Sequence, residues 1–442
     1  MRERYVLLGL AQVGSAWFRA VGRWSTDGTL PVELVKTVSV EEVRTRLRSG
    51  RAFSALLVDD AVPGLERDLF ALAAAGGCAV VVVDAGRSQR SWAELGAAAS
   101  LPPGFDARAL LQVLGQVARP IGAEGGVVAD RLDPAVASPV STVLGRLVAV
   151  TGAGGTGAST VAMALAQHAA GRHRAGAVLL ADLARRADQA MLHGTPDVVP
   201  SVQELAEAHR LGTPDATSIR SLTWQIATRG YDLLLGLRRP RDWTSLRPAT
   251  VRAAVEGLRR AYELTVADVD PDLEGERETG SLDVEDRNAL ARTAVAAADL
   301  VVVVGGSDLK GVHSLLRVVR DVVAHGAEPG RVLPVLNRAP RAPRARAELA
   351  RALAALGTGA TAGGSGPEVA GLPSPVFLGE RRHLDLALRD VSRLPDAWLR
   401  PIGAAVLDLL AVVEGPRPGG GPEPVRLPAG AVTAWTDEDA VG

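Results

Sequence analysis

A glycine-rich loop joins an apolar strand to a helix in the middle of the chain. The strand-like run Arg146–Val150 is followed by the loop Gly152–Thr160 and then by the helix-like stretch Val161–Ala170. Glycines let a backbone approach phosphate groups closely, and a helix N-terminus presents unpaired N–H groups and the positive end of its dipole. The order therefore predicts a phosphate-binding loop in an α/β domain. A tight strand-to-helix turn without a ligand would look similar, so the loop alone leaves both interpretations open.

The same alternation of short apolar runs and helical stretches continues towards the C-terminus. Helix-like intervals such as Thr250–Tyr262 and Val312–Ala324 separate several of the runs. Strands that alternate with helices predict βαβ units, and hence a doubly wound, mostly parallel sheet over residues 144–414. The predicted strands are Ala177–Asp182, Tyr231–Leu237, Leu264–Asp268, Leu300–Val304 and Arg331–Leu336.

A separate α/β segment precedes this one, from Tyr5 to about Arg119. Its apolar runs Tyr5–Leu10, Ala55–Asp59 and Ala79–Asp84 alternate with helix-like stretches, which again predicts a parallel sheet. We therefore expect a first domain at 1–119 and a linker at 120–143. Gly/Thr/Ser-rich composition predicts a flexible loop at 357–371. The Pro/Gly-rich residues 415–442 are expected to form a disordered tail.

Charge and composition exclude several classes of function. The 49 basic and 50 acidic side chains give a net charge of -1, which argues against specific nucleic-acid binding by the whole protein. The one cysteine, Cys78, has no partner for an intramolecular disulfide. We see no signal peptide and no apolar run that approaches the roughly 20 residues of a membrane span. A cytoplasmic location is the expectation, and Lys36 and Lys310 are the chain's only lysines.

The glycine loop resembles the deviant Walker A motif of the MinD/ParA ATPases. That motif carries one lysine early in the loop and a second before Ser/Thr; Ala153 and Ala158 occupy these positions here. The next strand resembles the family strand that ends in Asp-x-Asp, with Asp182 as the first aspartate. Ala184 replaces the second aspartate, which in the family positions the attacking water.

Further motifs follow in the family's order, and the resemblance spans roughly Arg146 to Val413. Asp268 ends a strand that resembles Walker B, and Asn337 lies at the end of a strand similar to the family's "LNR". The resemblance implies an ATP or ADP site with Mg²⁺, the ion being held by Ser159 and Asp268. The implied nucleotide contacts are Gly154, Gly155, Thr156, Gly157, Ala158, Ser159, Thr160, Asp182, Asp268 and Asn337.

The missing charges predict weak chemistry at this site. Loss of one group that stabilises a transition state commonly costs about 10²–10³ in rate. With Ala153, Ala158 and Ala184 in place of charged groups, we expect hydrolysis to be negligible or very slow and assign no catalytic residue. Backbone N–H groups would still allow nucleotide binding. Arginine is a candidate replacement for lysine at Arg185, Arg186 or Arg338, with plain surface charge as the alternative.

The first segment resembles a response-regulator receiver, which is a flavodoxin-like fold. Asp59 lies four residues before Pro63, where a phosphoacceptor would be expected. The stretch after the first strand, Gly9–Gly14, contains no acidic residue, and no lysine lies at Leu101–Phe105. Without those groups Asp59 is not expected to accept phosphate. We interpret this segment as a pseudo-receiver that makes protein contacts, with a solvated strand end as the plain alternative for Asp59.

The combination of a receiver-like domain and a P-loop NTPase-like domain is similar to the CpaE/TadZ branch. The segments Val199–Glu204 and Gly230–Gly236 also resemble that branch. The chain further resembles a related group, the septum-site-determining proteins of GC-rich bacteria. The resemblance implies a spatial regulator or scaffold in septum-site determination and cell division, or in localising a pilus or secretion apparatus. It implies protein partners from that machinery, a homodimer, recruitment to the septum or pole, and only indirect or weak membrane association. An ATP-switched dimerising ATPase and a receiver-type signalling protein are the alternatives.

Overall fold

The computed structural model describes residues 4–88, 90–121, 144–357, 370–381 and 384–412. Nearly all of the predicted linker at 120–143, most of the predicted loop at 357–371 and the whole predicted tail at 415–442 lie outside the described residues. No helix within the described ranges is long and apolar enough to cross a membrane.

The N-terminal segment forms a five-stranded, all-parallel sheet in the order β2-β1-β3-β4-β5. This order is the flavodoxin-like arrangement. The strands are β1 Tyr5–Leu10, β2 Val32–Thr37, β3 Ala55–Asp59, β4 Ala79–Val83 and β5 Ala99–Leu101. The helices are α1 Ala16–Thr26, α2 Val40–Arg48, α3 Arg67–Ala75, α4 Trp92–Leu95 and α5 Ala107–Val117. The predicted βαβ alternation is confirmed.

The C-terminal segment forms an eight-stranded sheet in the order β13-β12-β11-β6-β10-β7-β9-β8. All pairs are parallel except the edge pair β8–β9. The strands are β6 Arg146–Gly152, β7 Val178–Asp182, β8 Trp224–Ile226, β9 Tyr231–Leu234, β10 Leu264–Asp268, β11 Leu300–Gly306, β12 Val332–Ala339 and β13 Val376–Gly379. The predicted mostly parallel sheet is confirmed.

Twelve helices accompany this sheet within the described residues. They are α6 Ala158–Ala170, α7 Gln189–His193, α8 Val202–Leu211, α9 Ala216–Arg220, α10 Pro248–Ala261, α11 Glu276–Thr279, α12 Leu282–Arg287, α13 Ala289–Ala297, α14 Leu309–Ala324, α15 Pro343–Gly357, α16 Leu384–Arg389 and α17 Asp396–Val412. Successive side chains of a strand point to opposite faces, so the sheet has two cores. Leu147 and Ala149 pack towards α10, α13 and α14, whereas Val148 and Val150 pack towards α6 and α17.

Polar side chains at the start of α3, in the N-terminal domain, contact helices of the C-terminal domain. Asp68 accepts hydrogen bonds from the backbone N–H groups of Ala249 and Thr250, at 3.1 and 3.4 Å, and from the Thr250 hydroxyl. It therefore caps the N-terminus of α10 from another domain. Arg67 donates to the carbonyl oxygens of His209 and Gly212 at 2.9 and 2.8 Å, at the C-terminal end of α8.

Candidate functional site

The phosphate loop begins where β6 ends at the centre of the sheet. Two of its glycines are left-handed, Gly155 at φ 82° and Gly157 at φ 89°, a conformation that side chains disfavour. A Cβ atom at Gly157 would lie 2.6 Å from the Asn337 amide nitrogen, and one at Gly152 would lie 2.3 Å from a backbone oxygen. At Gly154 and Gly155 nothing lies within 4 Å of the added atom. Gly152 and Gly157 therefore leave no room for a side chain, whereas the loop is open to the outside at Gly154 and Gly155.

Hydrogen bonds from within the domain fix the loop's shape. The Thr156 hydroxyl donates to the Ala153 carbonyl oxygen at 2.7 Å. The Asn337 amide nitrogen donates to the Thr156 carbonyl oxygen at 2.8 Å, and the Asn337 side chain is buried. Asn337 therefore supports the loop from β12. A contact of Asn337 with an adenine ring, as the resemblance implies, stays a prediction.

One of the three candidate arginines lies against the loop. Arg338 follows Asn337 on β12 with a left-handed backbone at φ 52°, which is uncommon outside glycine. Its guanidinium donates to the Gly155 carbonyl oxygen at 3.4 Å and is otherwise exposed. Arg185 is positioned through its backbone N–H, which donates to Asp270 at 2.7 Å, and the Arg186 side chain is exposed. Arg338 thus places a positive charge beside the loop.

The predicted aspartates lie side by side, because β7 and β10 are neighbours and Asp182 pairs with Asp268 in the register. Asp182 is fully buried, and its carboxylate accepts the backbone N–H groups of Ala184 at 3.3 Å and Gln189 at 2.9 Å. Burial, together with the charge of Asp268, raises the pKa of Asp182 well above its usual range. Asp182 is therefore a buried, structural part of the site that holds the backbone at Ala184 and Gln189 in place.

Asp268 lies closer to the loop helix, and it is 3% exposed. Its Oδ2 accepts the side-chain amide N–H of Gln189 at 2.7 Å, and the Ser159 side chain is near enough to lower the pKa of the carboxyl group. Burial raises the pKa of Asp268 to about 6. The two predicted magnesium ligands, Ser159 and Asp268, therefore lie close together, and the Gln189 side-chain amide contacts both residues.

Gln189 is the residue of this site that the sequence did not reveal. It begins the short helix α7, is completely buried, and also donates from Nε2 to the Ser159 carbonyl oxygen at 3.2 Å. One turn later, His193 donates from Nδ1 to the Gln189 carbonyl oxygen at 2.7 Å and accepts from the Tyr231 hydroxyl at 2.7 Å. Gln189 and His193 lie four residues apart on one side of this short helix, but no pattern in the sequence indicates the contact of Gln189 with Asp268.

The residues around Asp268 do not fit a magnesium ion as they are arranged. Mg²⁺ requires oxygen ligands in nearly octahedral geometry. The Asp268 oxygen that faces Gln189 meets an N–H donor, and the Asp182 oxygens meet backbone N–H donors. Within the described ranges, no group of three or more acidic, histidine or cysteine side chains is placed to hold a metal. We therefore derive no chemistry through the predicted ion.

Asp59 lies at the end of β3 in the N-terminal domain. The Trp17 indole N–H donates to Asp59 Oδ2 at 3.3 Å, and the Ala61 backbone N–H donates to Oδ1 at 3.2 Å. The adjacent Asp60 accepts the Ala85 backbone N–H at 3.0 Å. Both Asp59 oxygens therefore accept hydrogen bonds from within the domain, and the lack of phosphate acceptance stays a prediction.

No family model and no curated protein matches the chain. Solved structures similar to it include a ParA family ATPase from Chlorobium tepidum, 14% identical, with 59% of this chain and 98% of that chain covered and a TM-score of 0.44. The cell division ATPase MinD from Pyrococcus furiosus is 16% identical, with 61% and 98% covered and a TM-score of 0.41. The septum site-determining protein MinD from Pyrococcus horikoshii, complexed with Mg-ADP, is 15% identical, with 61% and 95% covered and a TM-score of 0.40. These likenesses are too weak to support a statement about function. The function is therefore argued from the residues of the site.

Proposed function

We propose that residues 144–414 form a MinD/ParA-like domain that binds nucleotide and does not hydrolyse it at a useful rate. The observation that carries this proposal is a glycine loop between a strand and a helix that has neutral residues where the resembled motif carries lysines. Gly154 and Gly155 leave its outer face open, while Ala153 and Ala158 present methyl groups where the resembled motif carries lysines. The domain would then work as an interaction platform, with nucleotide as a ligand or regulator.

Nucleotide binding is supported by the groups that remain at the loop. Helix α6 is 13 residues long, and its first turn presents backbone N–H groups to the open side of the loop. The helix dipole places roughly half a positive charge at that end. The Arg338 guanidinium adds a full positive charge at the Gly155 carbonyl. These groups favour a phosphate or a similar anion without any lysine.

Loss of hydrolysis follows from the groups that are missing. Phosphoryl transfer depends on neutralising charge at the transferred group and on orienting the attacking water. Ala153, Ala158 and Ala184 do neither, and each such loss commonly costs about 10²–10³ in rate. One oxygen of the Asp268 carboxylate, Oδ2, already accepts an amide N–H. Together these features favour a site that binds nucleotide without hydrolysing it.

The wider role that we propose is that of a CpaE/TadZ-like spatial regulator or scaffold. It would act in septum-site determination and cell division, or in localising a pilus or secretion apparatus, from the cytoplasm with recruitment to the septum or pole. Its partners would be proteins of that machinery and a second copy of the chain, with membrane association indirect or weak. The flavodoxin-like order of the first sheet and the hydrogen bond of Trp17 to Asp59 support a pseudo-receiver that serves protein contacts.

The binding part is tested by calorimetric titration of the purified full chain with ATP and ADP. We expect saturable binding that weakens about ten-fold in Arg338→Ala, since one lost charged contact is worth roughly 1.4 kcal/mol. Arg341→Ala is the matched control, because Arg341 is an exposed arginine three residues further along. Absence of nucleotide binding, or equal weakening by both variants, would refute the proposal.

A second candidate is an ATP-switched dimerising ATPase, in which arginine replaces the loop lysine. The position of Arg338 against the Gly155 carbonyl favours it. Light scattering with and without ATP separates the two candidates. A monomer-to-dimer change that requires ATP supports the switch, and an unchanged mass supports the platform.

A further inference from the structure

Every backbone polar group of Gln189 and its side-chain nitrogen are used at the site. The backbone N–H donates to Asp182 at 2.9 Å, and the carbonyl oxygen accepts from His193 at 2.7 Å. The side-chain nitrogen donates to Asp268 at 2.7 Å and to the Ser159 carbonyl oxygen at 3.2 Å. Gln189 itself has no measurable exposure. Its amide is therefore held in place and not merely nearby.

The partners of Gln189 decide which way its amide faces. Both groups against the side chain, a carboxylate oxygen and a carbonyl oxygen, accept hydrogen bonds, so the nitrogen has to face them. The Gln189 side-chain oxygen points away and has no hydrogen-bond partner in the described structure. On the far side, burial lowers the pKa of His193 to about 4, which keeps its ring neutral, with Nδ1 donating to Gln189 and Nε2 accepting from Tyr231.

We propose that the Gln189 amide takes the place of a divalent cation beside Asp268, so that the phosphate loop binds its ligand without a metal ion. The statement about the ligand rests on the proposed nucleotide binding, whereas the statement about the ion does not. An ion at this position would need oxygen ligands on all sides. It would have to displace a buried N–H donor that satisfies Asp268 and the Ser159 carbonyl together. Leaving such groups unsatisfied is costly, so the amide keeps the ion out.

Exchange of this amide for a carboxylate should create the missing metal site. In Gln189→Glu, a carboxylate oxygen would face the Asp268 carboxylate and the Ser159 carbonyl, and a cation would relieve the repulsion between the two ionised carboxylates. We expect Mg²⁺, added without nucleotide, to leave the melting temperature of the wild-type chain unchanged. For Gln189→Glu it should raise the melting temperature by about 3–6 °C at ten times the dissociation constant. Gln112→Glu, on the exposed face of α5, is the matched control and should not respond.

A compensating variant keeps the test decisive if the single substitution weakens the fold. In Gln189→Glu/Asp268→Asn the donor and the acceptor change places, so residues 189 and 268 are again complementary and only the Ser159 carbonyl oxygen loses its donor. This double variant should fold and should not respond to Mg²⁺. If Gln189→Glu is unfolded without metal, recovery of its helical circular dichroism on adding Mg²⁺ is the expected result. A folded single variant that ignores Mg²⁺, or an unfolded one that Mg²⁺ does not recover, would overturn the proposed role of the amide.

Nucleotide titrations in Mg²⁺ and in EDTA complete the experiment. We expect the ATP affinity of the wild-type chain to differ by less than about two-fold between them, which corresponds to a fraction of RT. Stabilisation of the wild-type chain by Mg²⁺, or ATP binding that EDTA abolishes, would overturn the inference. If ATP binds in neither buffer while the two variants respond to Mg²⁺ as expected, the nucleotide-binding proposal fails and the assignment of Gln189 stands.

Discussion

Replacement of Asp68 by alanine should loosen the first turn of α10, although the two lie in different domains. The residue at the start of α10, Arg247, makes no side-chain cap of its own. The carboxylate of Asp68 accepts the N–H groups of Ala249 and Thr250, at 3.1 and 3.4 Å, and the Thr250 hydroxyl. Domain contact therefore supplies a cap that the local sequence lacks.

The size of the effect follows from these bonds. Loss of an N-cap side chain costs about 0.5–2 kcal/mol. The additional loss of the buried Thr250 hydroxyl's acceptor places the total near the upper end, at about 2 kcal/mol. Because every 1.4 kcal/mol is a factor of ten, local opening of the first turn should become about 30-fold more frequent. The backbone amides of Ala249 and Thr250 should then exchange faster by the same factor.

Amide hydrogen exchange of the α10 peptide measures this directly. Asp106→Ala is the matched control, because Asp106 caps α5 inside the N-terminal domain through the Ala109 N–H at 2.8 Å. The control should leave α10 unchanged and affect α5 alone. Unchanged α10 exchange in Asp68→Ala, or equal effects of both variants on α10, would refute the cross-domain cap.

Three further predictions concern the interior and the loop. Tyr231→Phe removes the donor to His193 and should lower the free energy of unfolding by about 1–3 kcal/mol in urea titrations, whereas Tyr5→Phe, whose hydroxyl makes no such bond, should not. Because burial lowers the pKa of His193 to about 4 from 6.5, the unfolded chain binds the proton first, so stability falls as pH drops from 6.5 towards 4. The stability difference from His193→Gln should shrink by up to about 3 kcal/mol over that window, and a constant difference would contradict the burial argument. Gly157→Ala, at φ 89° against the Asn337 amide, should lower the melting temperature, whereas Gly154→Ala, in open space, should weaken nucleotide binding and leave melting unchanged; the reverse pattern would contradict the roles given to these glycines.

The fold could be predicted where local sequence decides it. The central strands β6, β10 and β11 are buried on both faces, so they are near-continuous apolar runs, which is typical of parallel sheets. The edge strands β2, β5, β8 and β13 were not predicted. Their residues are mostly only partly buried, so the apolar pattern that would identify them is weak.

The loop and the aspartates of the site could be predicted from the sequence, whereas the long-range contacts between its residues could not. Glycines and strand-ending aspartates have fixed local signatures, so the loop, Asp182 and Asp268 were found from the sequence. Gln189 contacts them only because α7 folds back across the ends of β7 and β10, and nothing near it in the sequence encodes that contact. The contact of Arg338 with the loop depends likewise on β12 lying two strands from β6.

The predicted magnesium site is likewise affected by a long-range contact. From the sequence, Ser159 and Asp268 have the spacing and chemistry of ion ligands. In the structure they do lie together, but the Gln189 amide satisfies the Asp268 oxygen that an ion would need. A neutral donor at that point is a long-range property of the fold, so no local pattern around Ser159 or Asp268 predicts it.

The most direct test of the account is ATP binding and phosphate release measured on the same preparation of the full chain. We expect saturable ATP binding, with phosphate release no faster than that of a blank without protein and no change in that rate in Asp268→Ala. Robust ATP hydrolysis by the wild-type chain that disappears in Asp268→Ala would contradict it.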